Sequence, residues 1–136
     1  MDSDFKSLPT TMESEELANY FHQFLDIYTN KPKSSQALAE LYELAYRQWD
    51  TYDRLDEELS QKISNYLIAA ININMNTYEI MDVIISIVEN LSLAEVFEYL
   101  ISKRNSVKNK TVAKLIEEAE DEYAERINDP FAIDDF

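Results

Sequence analysis

Glycine is absent from all 136 residues of this chain. Glycine-rich phosphate loops, dinucleotide-binding turns and two-residue hairpin turns need backbone conformations that other residues adopt only at a cost. The sequence therefore disfavours nucleotide-binding folds. Its length is typical of one domain, in which roughly two thirds of the unfolded surface can be buried without metals or crosslinks.

Apolar residues recur at helical spacing along almost the whole chain, which predicts an all-α fold of about six antiparallel helices. We label the predicted helices A to F. Helix D is apolar around most of its circumference and should form the centre of the core. The apolar positions are Leu17, Tyr20, Phe21, Phe24, Leu25 and Tyr28 in A, Leu38, Leu41, Tyr42, Ala45 and Trp49 in B, Leu55, Leu59, Ile63, Tyr66, Leu67 and Ala70 in C, Ile80, Met81, Val83, Ile84, Ile85, Ile87, Val88 and Leu91 in D, Val96, Phe97, Leu100 and Ile101 in E, and Val112, Leu115, Ile116, Ala119 and Tyr123 in F.

Polar residues ahead of three stripes predict helix starts. Ser14 is a candidate cap for helix A, and capping boxes would open D at Asn76 with Glu79 and E at Ser92 with Glu95. The stretch AAININMN, residues 69–76, alternates Ile with Asn and could form a short strand. We interpret it instead as a frayed helix end and a turn.

An internal repeat suggests how the helices stack. ISNYLIAA, which starts at residue 63, is similar to VFEYLISK, which starts at residue 96. Two helical hairpins of similar period are typical of short α-solenoids of the HEAT or armadillo type. A plain helical bundle is the alternative. Either way we expect a single helical domain over 1–136, with ends at 1–13 and 129–136 that could be mobile.

Few residues offer chemistry. The chain has no cysteine, so it has neither disulfides nor thiolate metal ligands, and its only histidine is His22. Carboxylate pairs such as Glu40 with Glu43 could bind a cation, but such pairs are common on solvated helix faces. We therefore expect no catalytic, cofactor-binding or metal-binding residue, and no enzymatic activity.

Charge is the stronger functional signal. Twenty-seven acids against twelve bases give a formal net charge of −15. Such a surface repels nucleic acids and anionic membranes, so a charged partner should be a basic protein. The acidic amino terminus is not a secretory signal, and every apolar segment is too short for a membrane span, which predicts a cytoplasmic protein. A basic cluster at 103–114 is interpreted as a complement to a helix carboxyl end.

Two acidic regions are candidates for binding that partner. The first, YRQWDTYDRLDEE at residues 46–58, combines aromatic anchors with charges, as binding hot spots do. Alternatively, its tryptophan simply closes the core while the acids solvate a connection. The candidate residues in this region are Trp49, Asp50, Tyr52, Asp53, Asp56 and Glu57.

The second region is the carboxyl-terminal tail, in which the last twenty residues hold nine acids and one base. Beyond Pro130 the tail carries two apolar residues, Phe131 and Phe136, that could act as hooks. A purely solvating acidic end is the alternative. The candidate residues here are Glu117, Glu120, Asp121 and Glu122.

The segment IMDVIISIVENLSLAEVFEYLISKRNSVKNKTVAKLIEEAEDEY resembles the carboxyl-terminal half of small, acidic, all-helical immunity proteins of bacterial polymorphic toxin and contact-dependent inhibition systems. The resemblance covers about a third of the chain and rests on pattern, without a positional motif, so no functional residues carry over. It implies a cytosolic protein that binds and blocks a cognate toxin domain, often a basic nuclease. The main alternative is a helical-repeat adaptor that binds another protein, with its acidity serving solubility.

Overall fold

The computed structural model describes residues 5–123, which form six α-helices and two 3-10 helices and contain no strand. The prediction of an all-α fold with about six helices is confirmed. The α-helices are α1 (Ser14–Tyr28), α2 (Ser35–Asp50), α3 (Glu57–Asn74), α4 (Tyr78–Leu91), α5 (Ala94–Lys103) and α6 (Lys110–Tyr123). The 3-10 helices span Phe5–Ser7 and Arg104–Ser106.

The helices pack in two rows around one core. Helix α3 contacts α1 and α5, whereas α4 contacts α2 and α6. The two rows join because consecutive helices also pack pairwise, α1 on α2, α3 on α4 and α5 on α6. The most extensive contact is between α2 and α4. Helix α4 contacts four other helices, and its buried residues include Met81, Ile84, Ile85, Ile87 and Val88. It therefore lies at the centre of the core, as the apolar residues around most of predicted helix D indicate.

All three predicted helix starts are wrong in detail. Ser14 is the first helical residue of α1, which follows Glu13 and has no side-chain cap. Ser92 has φ 56° and ends α4 in the left-handed region, so α5 begins after it, at Ala94. Side chains cap other helices. At the start of α2, Ser34 Oγ accepts a hydrogen bond from Ala37 N at 3.1 Å. Since many Ser and Asp residues flank these helices, local spacing alone does not select the one that caps.

Asn76 joins two connections instead of capping α4. Its Oδ1 accepts hydrogen bonds from the backbone N–H groups of Lys108 and Asn109, at 2.8 and 2.9 Å. Asn109 Nδ2 donates in return to the carbonyl oxygen of Asn76 at 3.1 Å. The α3–α4 turn is thereby bound to the α5–α6 connection. The preceding stretch is helical as far as Asn74, so the strand interpretation of residues 69–76 is excluded.

None of the helices within residues 5–123 is long and apolar enough to cross a bilayer.

Candidate functional site

The turn between α2 and α3, residues 51–56, lies in the middle of the first predicted region, residues 46–58. Tyr52 has φ 63°, and within residues 5–123 only Ser92 is also in the left-handed region. A residue with a Cβ adopts this conformation at a cost of about 1–2 kcal/mol. Such a conformation persists only where surrounding contacts impose it, and it is commonly found at binding sites. The side chain of Tyr52 is 59% exposed.

Hydrogen bonds from the end of α2 hold this turn in place. Gln48 is buried, and its Nε2 donates to the carbonyl oxygen of Asp53 at 2.6 Å. Thr51 Oγ1 donates to the carbonyl oxygen of Gln48 at 2.7 Å and accepts from Asp53 N at 3.0 Å. On the far side, Ser14 Oγ of α1 donates to Asp53 Oδ2 at 3.0 Å. The backbone of the turn is therefore fixed from the end of α2, and the Asp53 carboxylate is bonded to α1.

Aromatic side chains form a row along α2 into the turn. Tyr42 and Tyr46 have ring centroids 5.9 Å apart, and Trp49 and Tyr52 have centroids 6.3 Å apart. Tyr46 and Trp49 are half-buried, whereas Tyr42 is 37% exposed. Tyr42, which belongs to the apolar stripe predicted for helix B, therefore lies at the surface. The spacing 42, 46, 49 places these three rings on one side of α2.

A buried arginine holds the amino-terminal segment against α2, beside this row of aromatic side chains. Arg47 is 1% exposed, and it donates to the carbonyl oxygens of Leu8 and Pro9, both at 2.9 Å. The same guanidinium bonds the Glu43 carboxylate at 3.0 Å and lies 4.8 Å from the ring centroid of Tyr46. These contacts bind residues 5–13, part of the segment 1–13 that we predicted could be mobile, along α2.

The result is a groove of about 450 Å³ between the amino-terminal segment and α2. We call it the aromatic groove. It is lined by Thr10, Thr11, Tyr42, Tyr46, Trp49 and Asp50. The two threonines could not have been predicted, because they reach the groove through the bonds of Arg47 to residues far away in the sequence.

Four exposed acids of the first region surround the turn: Asp50, Asp53, Asp56 and Glu57. Asp50 lines the aromatic groove, whereas Asp56 caps α3 by accepting a hydrogen bond from Leu59 N at 2.9 Å. Glu15 of α1 adds a further carboxylate, because it lines a small pocket together with Asp56. The six residues predicted for this region therefore extend from the end of α2 through the turn to the start of α3, with Asp50 in the aromatic groove and Asp56 in the small pocket. Trp49 is half-buried, so it both contributes to packing and faces the groove.

The second predicted region lies on α6, which contributes no residue to the aromatic groove. Glu117 and Asp121 are exposed on α6. Glu120 is half-buried and forms an ion pair with Arg104, so its charge is engaged within the fold. Glu122 belongs to α6, but its side chain falls outside the described part, as do residues 129–136 with Phe131 and Phe136.

A second groove, of about 630 Å³, lies between the end of α1 and α3. Tyr66 is buried at its edge, and among residues 5–123 its hydroxyl has no hydrogen-bond partner. Burial, with a smaller contribution from Tyr28, raises the pKa of Tyr66 to about 12. Lys33 Nζ lies 5.0 Å from the Tyr66 ring centroid and donates to the carbonyl oxygen of Thr29 at 2.8 Å. Lys33 therefore covers this ring from the solvent side.

His22 is exposed on α1, and residues 5–123 contain no group of three or more His, Cys, Asp or Glu side chains that could hold an ion.

Comparison with known proteins gives no relative from which a role could be transferred. No family model, no curated protein and no solved structure matches this chain. A functional assignment must therefore rest on the surface itself, and the aromatic groove with its surrounding acids is the most distinctive part of that surface.

Proposed function

We propose that this protein is an immunity protein that binds and neutralises a cognate, basic bacterial toxin domain, of nuclease type, in the cytoplasm. The observation that carries the proposal is the α2–α3 turn, where a partly exposed aromatic row ends among four exposed acids. Tyr52 is held there in a left-handed conformation that stability alone would not favour. Under this proposal the protein is not an enzyme and needs no cofactor.

The charge supports a basic partner. A nuclease that grips phosphates displays a positive cleft, and a chain of net charge −15 is attracted to it over a long range. Complementary potentials accelerate encounter and penalise wrong partners. Aromatic residues in a fixed arrangement supply the apolar anchor that charge alone lacks. The acids would act mainly on the association rate, and the aromatic row on the lifetime of the complex.

We also propose that the helices form a short α-solenoid of the HEAT or armadillo type. The support is the contact of α3 with α1 and α5, the contact of α4 with α2 and α6, and the internal repeat. Within that repeat, Leu67 and Leu100 are both buried, and Ile68 and Ile101 are both half-buried. Each repeat would be one helical hairpin that completes its core against its neighbour.

The test is capture of the partner from the source cell's lysate at low salt, followed by mass spectrometry and a salt titration. We expect one basic toxin domain, released as salt rises and inactive when bound. A quadruple charge-removing variant, Asp50→Asn, Asp53→Asn, Asp56→Asn and Glu57→Gln, should reduce capture strongly. A control variant that also removes four exposed charges, Glu98→Gln on α5 with Glu117→Gln, Glu118→Gln and Asp121→Asn on α6, should reduce it less.

Retention of acidic or diverse proteins would exclude the immunity function. The same paired helices would then favour the second candidate, a helical-repeat adaptor for another class of protein. The genomic neighbourhood separates the two candidates independently, since an immunity gene should lie immediately downstream of a large toxin gene.

A further inference from the structure

The aromatic groove has the chemistry of a site for one cationic side chain. Its lining residues include three aromatic residues, Tyr42, Tyr46 and Trp49, and the acidic residue Asp50. Aromatic faces carry negative electrostatic potential and attract ammonium and guanidinium groups placed over them. A neighbouring carboxylate gives such a cation a charged hydrogen-bond acceptor.

A contact of this kind already occurs within the fold. The guanidinium of Arg47 lies over the Tyr46 ring, 4.8 Å from its centroid, while it donates to the Glu43 carboxylate at 3.0 Å. One ring and one carboxylate on α2 thus bind an arginine of this chain. The groove presents further rings and Asp50 on the same helix.

We propose that the aromatic groove receives an arginine side chain of the basic partner, with the guanidinium stacked on the aromatic row and bonded to Asp50. The inference rests on the proposed function, because it takes the partner to be a basic protein. Arginine fits better than lysine because its guanidinium is planar, is more weakly hydrated than an ammonium, and can stack and donate hydrogen bonds at once. The net charge of −15 supplies the long-range attraction that any cation would feel, whereas the rings supply the preference for arginine.

The chain provides its own reporter, because Trp49 is its only tryptophan. Trp49 fluorescence of the full chain is titrated with hexa-arginine and, in parallel, with hexa-lysine of equal charge, at low salt. We expect a saturable change in emission with both peptides and several-fold tighter binding of hexa-arginine. A general electrostatic attraction would give equal affinities, because both peptides carry the same charge.

Two matched variants locate the binding. Tyr42 is 37% exposed in the groove, and Tyr78 is 38% exposed at the start of α4. Tyr42→Ala should weaken hexa-arginine binding roughly two- to fivefold, the range of an exposed cation–π contact. Tyr78→Ala should leave it unchanged. Circular dichroism of both variants checks that they are folded.

Equal affinities for the two peptides, or equal effects of the two substitutions, would overturn the arginine site. The outcome is separable from that of the proposed function. If a toxin domain is captured but Tyr42→Ala binds it as well as the natural chain does, only the arginine site fails. If hexa-arginine is preferred but lysate capture retains no basic protein, the immunity function fails and the arginine site stands.

Discussion

Arg47 Nε donates a 2.9 Å hydrogen bond to the carbonyl oxygen of Pro9, a residue 38 positions earlier in the chain. Because the guanidinium is buried, this bond and its companion to Leu8 are shielded from water. Together they bring the amino-terminal segment to α2 and so create the second wall of the aromatic groove.

Arg47→Ala should therefore destabilise the protein by about 2–4 kcal/mol, since it removes a buried guanidinium with its hydrogen bonds to Leu8 and Pro9 and leaves the Glu43 carboxylate without this partner. Lys62→Ala is the control, because Lys62 forms an exposed ion pair with Glu58 at 3.2 Å and should contribute no more than about 0.5 kcal/mol. Urea unfolding measures both variants. A loss below about 1 kcal/mol for Arg47→Ala would mean that the amino-terminal segment adds little to stability.

Position 52 should prefer glycine over alanine. At φ 63° a Cβ is unfavourable, so Tyr52→Gly should be more stable than Tyr52→Ala by about 1 kcal/mol. The control is Ala39→Gly at an exposed site within α2, where glycine should cost about 1 kcal/mol. Thermal unfolding compares the three variants with the natural chain. If alanine proved the more stable residue at position 52, the turn would not be strained.

Asp56 has two separable roles, as a cap and as a surface charge. Asp56→Ala should lower stability by about 1 kcal/mol, because Leu59 N loses its acceptor. Asp56→Asn keeps a capping oxygen and should be nearly neutral for folding. Both variants should weaken binding of a basic partner to a similar extent. A binding loss confined to Asp56→Ala would indicate that the cap alone matters, and calorimetry with the captured partner decides between the two.

Tyr66→Phe should change how stability depends on alkaline pH. Burial raises the pKa of Tyr66 from 10.0 to about 12, so the neutral hydroxyl is favoured in the folded state. Between these values the unfolded chain releases the proton while the folded chain keeps it, and stability falls as pH rises. The phenylalanine variant lacks this contribution and should lose stability less steeply from pH 10 to 12. At pH 7 it should be at least as stable as the natural chain, because the hydroxyl has no partner among residues 5–123.

Urea midpoints of both chains from pH 7 to 11.5 test this expectation. The remaining tyrosines are common to both chains and cancel in the difference. If the urea midpoints of the two chains fell in parallel throughout the alkaline range, the expected effect of Tyr66 would be contradicted.

Periodicity predicted the helices because burial of one apolar stripe per helix is a local property of the sequence. It failed for Tyr42, whose spacing fits the buried stripe although the residue is 37% exposed and lines the groove between α2 and the amino-terminal segment. The acidic and aromatic character of residues 46–58 also pointed to the turn. The groove itself could not be predicted, because it depends on the long-range hydrogen bonds of Arg47. The left-handed conformation of Tyr52 could not be predicted either, because the chain has no glycine to mark such a position.

The bridge from Asn76 to Lys108 and Asn109 bears on how the molecule opens. In an α-solenoid such as the one proposed above, the terminal hairpin can detach while the others stay folded. Here the hairpin of α5 and α6 can detach only after the α5–α6 connection has lost its hydrogen bonds to Asn76 in the α3–α4 turn. Amide hydrogen exchange in α5 and α6 should therefore report an opening free energy shared with α3 and α4, and Asn76→Ala should let the carboxyl-terminal helices exchange alone.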